Sequence, residues 1–121
     1  MILGKERIIE EIKKENIRIS SVNPQKPFDI NKQVQDSSID LYLNLDKPIT
    51  IPPNQQITLN SRENISIPKN IKGTIIGRRR WIIKGISVAG GSIQPGTIGQ
   101  LTVSIINTNP EPFIINPDDS I

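Results

Sequence analysis

The run Gly90-Gly-Ser-Ile-Gln-Pro-Gly-Thr-Ile-Gly-Gln-Leu-Thr-Val-Ser-Ile-Ile-Asn107 decides how this chain is read. Its first half is turn chemistry, with a Gly-Gly pair and a Pro-Gly pair a few residues apart. Its second half, Gln100 to Ile106, alternates in the two-residue period of a strand with one buried face. The same two signals recur outward in both directions. Ile39, Leu41, Leu43 and Leu45 alternate from Ser38 onward, and Ile49 to Pro53 ends in a Pro-Pro-Asn turn. Gln56 to Leu59 and Asn64 to Ile67 read as two strands, with Pro68-Lys-Asn as a turn behind them. Gly73-Thr-Ile-Ile-Gly77 has an apolar middle and reads as a strand buried on both sides, and Phe113-Ile-Ile115 as the last strand. Short strands at regular spacing with turn signals between them point to a sandwich or barrel.

Helical periodicity is confined to residues 5–16, where Ile8, Ile9 and Ile12 share a face and Asn16 is a C-terminal stop. Ile17-Arg-Ile19 follows as a short strand. Ser20 to Asn31, with Pro24 and Pro27, reads as a loop. At 121 residues the expectation is one domain, 1–121, with a helix at 5–16 and a β-region at 38–121. Aromatics are scarce, so Ile must dominate the core, and β-branching favours strands.

The absences exclude more than the motifs propose. With no Cys and no His there is no disulfide, no Cys/His zinc site and no Ser-His or Cys-His nucleophile. A net charge of +3 suits an anionic ligand without being a nucleic-acid signature. The opening Met1-Ile-Leu-Gly-Lys-Glu-Arg lacks a signal-peptide apolar run, and no stretch approaches the roughly 20 apolar residues of a membrane helix. The expectation is a cytoplasmic protein with no membrane partner.

Several segments, in order and at the correct spacing, resemble the dCTP deaminase and trimeric dUTPase superfamily. The first twelve residues resemble the deaminase N-terminal helix. Gln35-Asp-Ser-Ser-Ile-Asp-Leu-Tyr-Leu43 resembles the first motif, in which Asp40 opens a strand. Glu63 to Gly73 resembles the approach to the second motif, residues 77–86 that motif itself, and residues 90–107 the third. The resemblance implies an all-β fold, mainly β with one short N-terminal helix, of the dUTPase-like distorted β-barrel or jelly-roll kind. It also implies a homotrimer with sites between subunits.

The departures from the family pattern lie at its chemistry. Arg78 is kept, but Arg79 and Arg80 stand where the family places triphosphate-binding Ser. The deaminases' further Arg falls at Ile83, beside Lys84. The dUTPase Asp that orients the attacking water falls at Gln94, and the deaminase general-base Glu falls at Ser104. The family's Gly-rich phosphate-covering arm has no counterpart up to Ile121. Gln cannot accept a proton and Ser is a poor base unaided, whereas general-base catalysis contributes about 10²–10⁴-fold. The expectation is therefore a catalytically degenerate relative that binds a dCTP- or dUTP-type nucleotide, or another polyanion. It needs no cofactor held by protein ligands, and Mg²⁺ would arrive only on nucleotide phosphates.

Each candidate residue carries a plainer reading beside this one. Arg78, Arg79, Arg80 and Lys84 form either a phosphate site or a solvated charged face. Gly90-Gly91 and Pro95-Gly96, with Gln94, either cradle the ligand or simply turn the chain. Trp81 stacks on a base or a partner, or packs in the core or an interface. Asp40 is structural, hydrogen-bonded to the site, or an exposed strand-end carboxylate. Asp118 and Asp119 suggest a metal but read more simply as solvated turn residues. Two rival functions stay open: an active deaminase or dUTP hydrolase with a displaced base such as Asp36 or Glu63, and a structural, regulatory or nucleic-acid-binding trimer.

Overall fold

Antiparallel pairing organises the molecule, seen in a computed structural model that describes residues 2–120. In chain order the elements are α1 (Lys5–Lys13), β1 (Arg18–Ser21), α2 (Ile30–Gln33), β2 (Ile49–Ile51) and β3 (Gln56–Ser66). They continue with β4 (Gly73–Thr74), α3 (Arg79–Ile83), β5 (Ile86–Ala89), β6 (Ser92–Ile93), β7 (Ile98–Asn107) and β8 (Phe113–Ile115). A four-stranded sheet in the order β1-β3-β7-β5 is the frame, with small β2-β8 and β4-β6 pairs beside it. This is the mainly-β architecture that the sequence implies.

The core divides into two aliphatic clusters. One holds Leu43, Ile51, Trp81, Ile86, Val103, Ile105 and Ile115; the other holds Ile17, Ile65, Ile67 and Leu101. On β7, Leu101, Val103, Ile105 and Asn107 are buried while Thr102 is exposed, so the alternation read from the sequence is the alternation of burial.

Four local expectations are corrected. Gln56–Leu59 and Asn64–Ile67 are not separate strands: β3 runs from Gln56 to Ser66, with its register against β7 shifting between Asn60 and Asn64. Ser61, Arg62 and Glu63 are all buried there, which period two forbids and a bulge allows. The Ser61 hydroxyl stands in for the interrupted ladder, accepting the Leu101 N–H at 2.9 Å and donating to the Glu63 carbonyl at 2.8 Å. Residues 38–45 neither alternate in burial nor form a ladder: Ile39 to Tyr42 are all half-buried, Leu43 alone is buried, and only isolated bridges are made. Their bonds go singly to several partners: Asp40 N–H to the Gln33 carbonyl, Asn44 N–H to that of Asn60, and the Tyr42 carbonyl accepts from Arg62 N–H. Ile76 is 75% exposed, so residues 73–77 are not a doubly buried strand; Ile75 alone turns inward to both clusters.

Helix is the fourth correction, because two further short helices accompany α1. Asp29 caps α2, its Oδ1 accepting from the Asn31 and Lys32 N–H groups. The five-residue α3 has no side-chain N-cap and is fixed by its buried Trp81. α1 ends at Lys13 instead of Asn16, because Glu15 adopts φ +60 and folds the chain back. The Glu11 carbonyl then accepts from both Asn16 and Ile17 N–H, and the Asn16 side chain reaches the Glu11 carboxylate at 2.8 Å.

Candidate functional site

Residues 77–86 carry the densest positive charge, and the fold separates its members. Arg78 is half-buried and turns inward, its Nη1 donating to Asp40 Oδ2 at 3.2 Å and to the Ser120 hydroxyl at 2.5 Å. Arg80 lies over the Trp81 ring, its guanidinium carbon 5.2 Å from the ring centroid. It reaches the Ser120 carbonyl at 3.4 Å and Asp119 at 4.0 Å. Arg79 and Lys84 are exposed and make no ion pair among the described residues.

Trp81 is core. It is 5% exposed, meets Phe113 edge-on at 5.3 Å, and donates from Nε1 to the Ser120 carbonyl at 2.8 Å. Asp40 is half-buried and bonded to Arg78 and to the Gln35 amide, which donates at 3.1 Å. Ser120, which no sequence signal marks, therefore ties the Arg78–Trp81 segment to a residue some forty positions further along the chain.

Gly90 and Gly91 act differently from one another. A Cβ at Gly90 would lie 2.7 Å from the Ile75 side chain, so its role is close packing. Gly91 has φ +67, and its carbonyl accepts the Ile75 N–H at 2.9 Å. Gln94 is exposed and opens a tight turn, its carbonyl accepting from the Thr97 N–H and hydroxyl. Ser104 sits mid-strand on β7, opposite Thr58 on β3 and Ala89 on β5, with its hydroxyl 3.3 Å from that of Thr58. None of these neighbours is a carboxylate.

The two carboxylates near the end of the chain have partners of their own. Asp118 pairs with Lys26 at 2.7 Å, and Asp119 accepts the Asn116 N–H at 3.0 Å. Among the described residues, no group of acidic side chains could hold a metal ion.

Glu63 is the least expected group. It is fully buried, and its oxygens accept from Tyr42 N–H at 3.0 Å and the Gln33 amide at 3.2 Å, with Arg62 Nε at 3.7 Å. Burial pushes its carboxyl above the ordinary 4.5, against the opposing pull of Tyr42, Gln33 and Arg62. Well below pH 4.5 the proton stays on in both folded and unfolded chains. As pH rises toward the folded midpoint the unfolded chain releases its proton first, so this group's contribution to stability falls with rising pH and then levels. Carbon-detected NMR titration of the Glu63 carboxyl should give a midpoint above 4.5; one at or below that value contradicts the assignment. The signal for this site was in the sequence: five consecutive polar residues, 60–64, interrupt the apolar alternation on either side.

The antiparallel frame, the Asp40–Arg78 contact and the order of the motif-like segments together define a dUTPase-like β-protein. Residues 25–121 match the dUTPase family profile, and the chain belongs to that family, within the dCTP deaminase/dUTPase superfamily. Among similar proteins is a "dCTP deaminase, dUMP-forming" from Methanosphaera stadtmanae, 29% identical over 97 residues, which cover 78% of this chain and 49% of the relative. A deoxyuridine 5'-triphosphate nucleotidohydrolase from Mycobacterium marinum is 26% identical over 110 residues, covering 88% of this chain and 70% of the relative. The chain thus spans about half the length of the first relative. The native EIAV dUTPase structure shares the fold, with a TM-score of 0.62 and 18% identity, covering 84% of this chain and 78% of that one.

Proposed function

We propose that this chain is a nucleotide- or polyanion-binding member of its superfamily, assembled as a cytoplasmic homotrimer and having little or no turnover. One observation carries the reading. Gln94 and Ser104 occupy the two positions where the resemblance puts proton acceptors, and the cross-strand neighbours of Ser104 are Thr58 and Ala89. Both reactions need a base beside the attacking water. Glu63 does not serve as a displaced base, because it is fully buried with both oxygens engaged. Asp36 is exposed, and its carboxylate has no hydrogen-bond or ion-pair partner among the described residues.

Binding rests on Arg79 and Lys84, the two cations of residues 78–84 that no carboxylate neutralises among the described residues. Assembly is supported by Ile76, Ile82, Ile83 and Ile98, each 61–82% exposed, aliphatic side chains that a subunit interface would bury. No described helix is long and apolar enough to cross a membrane.

Calorimetric titration with dUTP and dCTP in the presence of Mg²⁺ tests the binding half. Arg79→Ala should weaken whichever nucleotide binds by about tenfold or more, the usual loss for a charged hydrogen bond. Identical affinity in Arg79→Ala would remove that residue from the site. Sedimentation velocity at several concentrations should give a trimer, and a monomer throughout would overturn the assembly.

A further inference from the structure

A second cationic site lies away from the Arg78–Lys84 segment, at a cavity of about 350 Å³ lined by Lys26, Asp29, Lys32, Tyr42, Arg62 and Asp118, among others. Its floor is Arg62, on the β3 bulge. This side chain is 8% exposed and lies over the Tyr42 ring, its guanidinium carbon 4.2 Å from the centroid. A guanidinium is always charged and carries five N–H donors. No described residue accepts a hydrogen bond from it, and its buried Nε is without any partner. The nearest carboxylate oxygen, on Glu63, is 3.7 Å away, beyond hydrogen-bond length, and is committed to the Gln33 amide.

A buried cation with unused donors is costly, and the ring beneath it replaces only part of its hydration. The acceptor that suits it is an anion entering through the cavity. The mouth of the cavity is positive on balance: Lys26, Lys32 and Arg62 face Asp29 and Asp118. Lys26 already neutralises Asp118 at 2.7 Å, and Asp29 is occupied in capping α2. Lys32 makes no ion pair among the described residues. The Asp118 carboxyl is held below its ordinary value, chiefly by Lys26 and further by Arg62 and Lys32, so the field of all three cations converges there.

We propose that this cavity binds a small phosphate-bearing anion, with Arg62 and Lys32 as its ligands. A carboxylate's two oxygens would be filled by the guanidinium fork alone. A phosphate offers a further oxygen to the second cation. The cavity volume is at the small end for ligand sites, which suits inorganic phosphate or a nucleoside monophosphate.

The test is a ¹⁵N-resolved NMR titration with inorganic phosphate, run in parallel with dUMP. Amides of Asp29 to Gln33, Tyr42 and the Arg62 Nε–H should shift together. Lys32→Ala, on the exposed rim and so safe for folding, should weaken binding by about tenfold, while Lys47→Ala, at an exposed lysine outside the cavity lining, should not. Equal responses to the two ligands place recognition in the phosphate. A response to dUMP alone, still lost in Lys32→Ala, keeps the site and adds a nucleoside contact. The shifts at Asp29–Gln33 should persist in Arg79→Ala, which separates this site from the proposed nucleotide site. Unchanged affinity in Lys32→Ala, or shifts confined to residues 78–84, would overturn the proposal. So would no phosphate response combined with loss of assembly in Arg62→Gln, which would assign a second copy's carboxylate to the cavity.

Discussion

Trp81→Ala is expected to lower the unfolding free energy by about 3–5 kcal/mol, the usual cost of truncating a buried large aromatic. Three losses combine. The indole leaves a void among Leu43, Ile86, Val103 and Ile115. The edge-on contact with Phe113 disappears. The Ser120 carbonyl loses its 2.8 Å donor while Ser120 remains buried. Trp81→Phe separates the terms, because it keeps most of the packing and removes only the N–H, at a cost of about 1–3 kcal/mol. Urea unfolding followed by circular dichroism, at one fixed protomer concentration, reads both. A loss below about 1 kcal/mol for the Ala variant would mean that α3 is not held by this residue. Because α3 carries Arg79 and Arg80, nucleotide affinity should fall in step with stability.

The second large effect belongs to Glu63→Ala, expected to cost about 3–5 kcal/mol as the broken half of a buried ion pair. The Tyr42 N–H loses its acceptor, the Gln33 amide one of its two, and Arg62 is left 8% exposed with no carboxylate beside it. Glu63→Gln is the informative companion. It preserves shape and one acceptor, so it should cost less while abolishing this group's share of the pH dependence. If Glu63→Ala proved neutral in stability, the bulge of β3 would have to be held by Ser61 alone, through its bonds to Leu101 and Glu63.

Most strands were legible because period-two alternation is also the alternation of burial, as on β7 and in the pairing of Phe113–Ile115 with Ile49–Ile51. What escaped was structure that non-local contacts decide. The β3 bulge depends on a Ser hydroxyl replacing a ladder bond, which no window of sequence displays. The Arg79–Ile83 helix contains two β-branched residues that argue for a strand, and only the burial of Trp81 overrides them. Residues 38–45 show the converse: their apolar alternation reads as a strand, yet only Leu43 is buried and the segment meets β3 at its bulge through isolated bridges.

At the site, sequence identified the chemically altered positions but not their company. Gln94 and Ser104 could be picked out from the motif positions they occupy. That Arg78 spends its charge on Asp40 and Ser120, leaving Arg79 and Lys84 outward, required the fold. The Arg62 cavity was invisible because its wall comes from four separated segments, Lys26 to Gln33, Tyr42, Arg62 and Asp118.

The central claim is that binding persists where turnover does not. Purified protein, shown to be folded by the emission of its single Trp, would be incubated with dCTP and with dUTP plus Mg²⁺, and dUTP, dUMP and pyrophosphate quantified by chromatography. The account predicts product no higher than in a protein-free control, from protein that still binds one of the two nucleotides. Product well above that control would contradict it, and would require a proton acceptor at some position other than 94 and 104.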